Sequence, residues 1–180
     1  MANAVRIIGG NLRGRILHFP DLKGLRPTPD RVRETLFNWL GQRLDDLVCL
    51  DLFAGSAALA FEAVSRGAAR VDAVDLNTKV CASAEENCRK TGVGNMTVTC
   101  SEATHFLSQN KQSYDVVFLD PPFAENSLME DVLEILPRHL SNGCRIYLES
   151  AQSIEIPQDF RSLRIAKAGR VHFALWEFQR

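Results

Sequence analysis

No apolar stretch in this chain approaches the roughly 18–20 residues of a membrane span. The N-terminus also lacks the apolar run of a signal peptide, so a cytosolic protein is expected. There is no C-x-x-C pair. The five cysteines (Cys49, Cys81, Cys88, Cys100, Cys144) are odd in number and lie mostly within apolar stretches. That pattern predicts reduced, packed thiols, not disulfides or a metal site. The four histidines (His18, His105, His139, His172) show no ligand spacing, so no metal is expected. Repeats and low-complexity segments are missing too, which excludes solenoids and disordered linkers.

What remains is an ordinary globular composition, 46% hydrophobic and 24% charged over 180 residues. A chain of this length is most simply one domain with a real core. The net charge of −1 conceals a gradient. Residues 1–33 hold seven Lys/Arg against two acids, so the remainder carries −6. A basic arm on an acidic body suits a phosphate-backbone partner, and Arg6, Arg13 and Arg15 are the candidates on that arm.

Val5–Ile8 and Arg15–Phe19 read as two short strands around the turn Gly9-Gly10-Asn11. Residues 20–29 contain Pro20, Gly24, Pro27 and Pro29 and read as a loop. Asp30–Leu40 places Val32, Leu36, Phe37 and Leu40 on one helical face. From residue 48 the chain alternates. Strands are expected at Val48–Phe53, Arg70–Leu76, Met96–Cys100, Tyr114–Asp120 and Cys144–Glu149. Helices are expected at Ala57–Arg66, Thr78–Thr91, Glu102–Gln109 and Leu128–His139, and Leu163–Ala168 with Val171–Phe178 closes the chain as an antiparallel hairpin. Uniformly apolar strands separated by helices predict an α/β fold, a mostly parallel sheet with helices on both faces.

Open parallel sheets bind ligands beyond the carboxyl ends of their strands. Four such ends carry polar residues here. Asp51-Leu52-Phe53-Ala54-Gly55-Ser56 makes a small-residue turn after the first strand. Asp75-Leu76 ends the second, 24 residues after Asp51, about the spacing at which an acid reaches ribose hydroxyls. Ser101-Glu102-Ala103 follows the third strand and can flank an adenine edge. Asp120-Pro121-Pro122-Phe123 follows the fourth. The prolines cannot extend a strand, so they hold a carboxylate and a ring on a stiff loop suited to a flat base with an amino group. Dinucleotides need G-x-G-x-x-G at the first turn, whereas this turn has Gly55 alone, with Ala57 and Ala60 where glycines might stand.

The last motif resembles the Asp/Asn/Ser-Pro-Pro-aromatic signature of amino-group methyltransferases, which use S-adenosylmethionine. That cofactor carries no phosphate and tolerates the looser turn. Further segments extend the likeness: Arg6-Ile7-Ile8-Gly9-Gly10, Arg13-Gly14-Arg15, Leu25-Arg26-Pro27-Thr28, Asp30 through Leu40, Asp51 through Ser56, and Glu62-Ala63-x-Ser65-Arg66-Gly67. Together they are similar to the RsmD family, bacterial methyltransferases that modify a guanine exocyclic amine in 16S ribosomal RNA. The resemblance implies a Rossmann-like class I fold of seven strands, with residues 1–29 as a short hairpin extension and 30–180 as the catalytic core of a single domain. It implies 16S RNA, within the small ribosomal subunit, as partner, S-adenosylhomocysteine as product, and no membrane; a monomer is expected because no unpaired apolar segment is evident.

The roles expected are these. Asp120 and the Pro121 carbonyl accept the amino hydrogens, Pro122 stiffens the loop, and Phe123 stacks on the base. Thr28, Asp51, Phe53, Ala54, Gly55, Ser56, Asp75, Leu76, Glu102, Ala103 and Asp120 line the cofactor. Arg6, Arg13, Arg15 and Arg26 face RNA, and Arg31 and Arg33 stand open between cofactor and RNA. Asp-Pro-Pro-aromatic also serves DNA adenine methylation, and an inactive nucleic-acid-binding relative is the alternative outside enzymes.

Overall fold

The computed structural model describes residues 3–121, 126–150, 157–169 and 171–180. A seven-stranded sheet has β3 (Val48–Asp51) near its centre, with β4 (Arg70–Asp75) and β5 (Met96–Cys100) to one side. To the other side lie β6 (Tyr114–Leu119), β7 (Leu140–Ser150), β9 (Val171–Phe178) and β8 (Phe160–Ala168), in that order. The five strands from β5 to β7 are parallel, and β9 and β8 add antiparallel. Chain order reverses direction between β3 and β6, which places the ligand crevice over those two strand tips.

Strand residues alternate between two buried layers. Cys49, Val116 and Phe118 join a cluster with Leu36 and Phe37 of α1 (Asp30–Trp39) and with Leu59 and Phe61 of α2 (Ala58–Ser65). Leu50, Val117 and Leu119 face the other layer, with Leu107 of α4 (Ala103–Gln109) and Val132 of α5 (Asn126–Ile135). Both faces of the sheet are therefore dry, as the unbroken apolar strands require. The fourteen-residue helix α3 (Thr78–Thr91) starts where the Asn77 carboxamide accepts the Lys79 N–H at 2.9 Å, and stops at Gly92 in the left-handed region. Among the described residues no helix is long and apolar enough to cross a membrane.

Several boundaries differ from the sequence expectation: β3 stops at Asp51, two residues before Phe53, and β8 starts at Phe160, three residues before Leu163. The expected helix 128–139 ends as a helix at Ile135 and continues as a 3₁₀ turn over Leu136–His139, because Pro137 has no N–H to donate and crowds the preceding turn. Strand β7 starts at Leu140, four residues early. Its pairing with β6 skips from Tyr114↔Leu140 to Val116↔Arg145, and Gly143 takes a positive φ within the skipped stretch. The N-terminal hairpin pairs β1 (Asn3–Arg6) with β2 (Ile16–Phe19), joined by residues 7–15.

That joining segment is shaped by what it docks on. The Ser65 carbonyl accepts the Asn11 N–H at 2.7 Å, and the Ser65 hydroxyl accepts the Leu12 N–H at 2.9 Å. Gly10 has φ +70°, and a Cβ there would sit 1.8 Å from the Ser65 carbonyl oxygen, so only glycine fits. On its other side the hairpin is held by Asn87 of α3, which donates to the His18 carbonyl at 2.8 Å and accepts the His18 N–H at 3.2 Å. Val5, Ile7, Leu17 and Phe19 are buried in the first core layer. The extension is part of the packed body.

Candidate active site

Sheet order brings four acids into a row at the carboxyl edge: Asp75 on β4, Asp51 on β3, Asp120 after β6 and Glu149 on β7. At the first position, Asp75 organises the turn that follows β3. Its carboxylate accepts the Gly55 N–H at 2.9 Å and the Asn77 N–H at 2.8 Å. The Ala54 N–H reaches the Val74 carbonyl at 2.8 Å, so residues 54 and 55 are pinned against the tip of β4. Leu76 beside it is 71% exposed, an apolar side chain held in the open next to a carboxylate. This pairing suits a nucleoside, whose ring covers the leucine while its sugar hydroxyls reach the acid.

Ala57 caps α2 in the left-handed conformation, φ 57° and ψ 19°, while fully buried. The turn thus keeps the backbone path a glycine would give, at a cost of about 1 kcal/mol or more for the Cβ. Asp51 is buried below this turn and accepts the Ala60 N–H at 3.1 Å. Burial pushes its carboxyl up to about 7, and nearby Asp75 adds to the rise.

Asp120 stands half-buried where β6 ends, with Pro121 after it. Burial raises its carboxyl well above the usual range. The Glu149 and Asp51 charges add to this, and a hydrogen bond from the Thr28 hydroxyl works against it. Glu149 is buried, and its carboxyl is also raised, again chiefly by burial. Among the described residues no Lys or Arg side chain is hydrogen-bonded to Asp51, Asp120 or Glu149. Three crowded acids without a cation favour a positively charged ligand, which would relieve the desolvation of each. A sulfonium with an amino group, as in S-adenosylmethionine, meets that demand; a pyrophosphate does not. The residues fit the cofactor named from the sequence.

Thr28 is 8% exposed, and its carbonyl accepts from the Arg33 guanidinium. Arg33 is fully buried, contrary to the open assignment it had. Its guanidinium donates to the Thr28 carbonyl at 3.1 Å, the Arg6 carbonyl at 2.9 Å and the Glu62 carboxylate at 2.8 Å, and it pairs with Asp30 at 2.6 Å. It cannot reach cofactor or RNA. Glu62, also fully buried, in addition accepts the Ile8 N–H at 2.6 Å and Arg66 Nε at 3.2 Å. This charged cluster ties hairpin, α1 and α2 together, and through Arg33 it also holds the backbone at Thr28.

Residues 5–177 match the family described as conserved hypothetical protein 95. The chain is 41% identical to ribosomal RNA small subunit methyltransferase D of Escherichia coli strain K12, covering 96% of this chain and 89% of the relative. The chain belongs to the RsmD family. The namesake protein of Haemophilus influenzae is 39% identical, with 96% and 93% covered. An Escherichia coli structure described as the methyltransferase yhhF superposes with a TM-score of 0.90 at 40% identity, over 98% of this chain and 99% of that one. The protein is thus an enzyme of the methyltransferase kind, with the seven-stranded sheet and hairpin extension expected of an RsmD member.

Set against this family site, the residues named from the sequence divide as follows. Asp51, Phe53, Ala54, Gly55, Ser56, Asp75 and Leu76 lie on adjoining tips of β3 and β4, and Glu102 and Ala103 start α4 beyond β5. Pro122 and Phe123 lie outside the described residues. Arg6, Arg13, Arg15 and Arg26 are all exposed; Arg6 and Arg13 line one cavity at the hairpin loop, whereas Arg26 lines another beside the hairpin strands. Arg26 is two residues from Thr28. Arg13 and Arg15 sit where the hairpin loop docks on Ser65, at the far end of the eight-residue α2, about 12 Å long. Glu149 was missed, although it carried the same signal as the others, an acid closing an apolar strand.

Proposed function

We propose that this protein transfers a methyl group from S-adenosylmethionine to the 2-amino group of a guanine in small-subunit ribosomal RNA. The observation carrying this reading is the Asp120-Pro121 tip, set within a row of acids that has no cation of its own and placed beside the nucleoside-suited Asp75-Leu76 pair. The cofactor, when bound, supplies an electrophilic methyl on a sulfonium. Asp75 would hold the ribose hydroxyls, Leu76 would cover the adenine, and Asp51 would face the amino group of the methionine part. An exocyclic amine is a poor nucleophile because its lone pair is delocalised into the ring. Asp120 accepts one amino hydrogen, which orients the nitrogen and stabilises positive charge as it becomes tetrahedral; the Pro121 carbonyl accepts the other. Phe123 would stack on the extruded base. Arg26 would meet the phosphate nearest the target, with Arg6, Arg13 and Arg15 meeting backbone farther along.

The deciding experiment supplies methyl-labelled S-adenosylmethionine and small ribosomal subunits from cells lacking this enzyme, with stripped 16S RNA and duplex DNA in parallel. Label at a single guanine N2 is the expected result. Label in DNA adenine, or in no nucleic acid while the cofactor still binds, would overturn it. Asp120→Ala should lower transfer at least 100-fold with cofactor binding retained.

A further inference from the structure

Arg66, just past the last turn of α2, is 8% exposed, yet one of its nitrogens is unused. Its Nε donates to the Glu62 carboxylate at 3.2 Å. Nη1 donates to the Gln42 side-chain oxygen at 2.7 Å and to the Gln42 carbonyl at 3.3 Å. Nη2 has no acceptor among the described residues. A guanidinium carries five N–H donors and keeps its charge at any working pH, so a buried one with idle donors calls for an acceptor from outside. Charge points the same way. Arg33 and Arg66 share Glu62 as their one buried acid, and Asp30, the second partner of Arg33, has a side chain that is 71% exposed. The buried cluster is therefore positive.

Arg66 lines a cavity of about 880 Å³ together with Gly9, Gly10 and Arg13. A Cβ built on Gly9 would lie 2.2 Å from Nη2, which places that nitrogen beside the hairpin loop in the cavity wall. Gly9 does not have a positive φ, so its backbone does not demand glycine; the space over the guanidinium does. The Gly9 and Gly10 N–H groups also have no acceptor among the described residues, and Gly10 is left-handed. Successive free N–H groups at such a bend form a concavity that takes an anion. Arg6 and Arg13 add two exposed guanidiniums with no ion pair among the described residues. Of the acids on this rim, Asp30 is paired with Arg33 and Asp45 with Arg43, and only Glu34 is uncommitted.

We propose that this cavity holds one phosphodiester of the substrate RNA, with Arg66 Nη2 and the Gly9 and Gly10 N–H groups on its oxygens and Arg13 at its outer edge. This rests on the reading of small-subunit ribosomal RNA as the substrate. The site lies one length of α2, about 12 Å, from the turn at Ala57, so it grips the strand leading to the target and not the target base.

The test is binding of stripped 16S RNA as a function of salt, with inorganic phosphate titrated in parallel by calorimetry. Gly9→Ala removes no charge, but its methyl displaces Nη2 and fills the cradle. Its RNA affinity should fall roughly tenfold or more, and the slope of log K against log salt should drop by about one. Arg66→Lys keeps the charge and a donor for Glu62 but has no second nitrogen for the cavity, and should show the same loss if Gly9→Ala does not fold. A folded variant of either kind that binds RNA with wild-type affinity and slope refutes the proposal. Loss of phosphate binding in Gly9→Ala with RNA affinity unchanged makes this a site for the free ion and overturns the RNA assignment. The two readings fail separately. If the wild type methylates ribosomal RNA while both variants bind it normally, only the phosphate site falls; if the wild type methylates DNA and no ribosomal RNA, the substrate reading falls first.

Discussion

Replacing Glu62 by Gln removes one charge from the buried cluster that joins the hairpin to the body, and its cost can be worked from the contacts. Glu62 is fully buried and serves two guanidiniums, Arg33 at 2.8 Å and Arg66 at 3.2 Å, as well as the Ile8 N–H at 2.6 Å. A glutamine oxygen can still accept from Ile8, but its amide nitrogen then points donors at a cationic neighbour. Two buried arginines lose their shared counter-charge. Breaking a buried pair in this way costs about 3–5 kcal/mol, because the uncompensated charge remains inside. Asp30 and the Thr28 and Arg6 carbonyls still support Arg33, and Phe37 lies 4.5 Å below the Arg66 guanidinium, which favours the lower half of that range. For a chain of this length each kcal/mol lowers Tm by roughly 2–4 °C, so a fall of about 6–15 °C is expected. Urea unfolding by circular dichroism of the cofactor-free protein gives the free energy directly. Amide exchange at Ile8, Asn11 and Leu12 should rise with it, since those N–H groups are the hairpin's ties to α2. A loss below about 1 kcal/mol would refute the reasoning, since values that small belong to surface pairs.

Two further perturbations probe the acid row and the basic strip. The folded-state carboxyl of Asp51 is raised to about 7, so the native state binds a proton that the unfolded chain has already released; stability is greatest below pH 4 and declines as pH rises towards 7. Asp51→Asn should therefore flatten this decline and be more stable than the wild type at pH 8 by up to about 4 kcal/mol, an upper bound from some three pH units at 1.36 kcal/mol each; unfolding curves at pH 5 and 8 that show no difference of differences would count against it. Arg13→Ala with Arg15→Ala should weaken RNA binding and reduce the slope of log K against log salt by about 1–2 while leaving cofactor affinity untouched, whereas an unchanged slope would place RNA elsewhere.

The strands and helices were legible because each is a local pattern. Apolar runs ending in Asp51, Asp75 and Asp120 mark three strand tips without reference to any partner, and parallel topology then forces those tips onto one edge. The motif at Asp120 likewise names its own chemistry. The sequence by itself therefore determined the layered α/β architecture and, through its family motifs, the methyltransferase class of the protein. Tertiary structure alone decided which charges are buried to hold the fold and which stay exposed. Arg33 and Arg31 look equivalent in sequence, two residues apart on one helix, but a turn of about 200° between them sends one into the core against Glu62, 29 residues away, and the other to solvent. Asp120 and Glu149 come side by side only because β7 lies beside β6. Such pairings depend on long-range packing and desolvation, which no periodicity along the chain encodes.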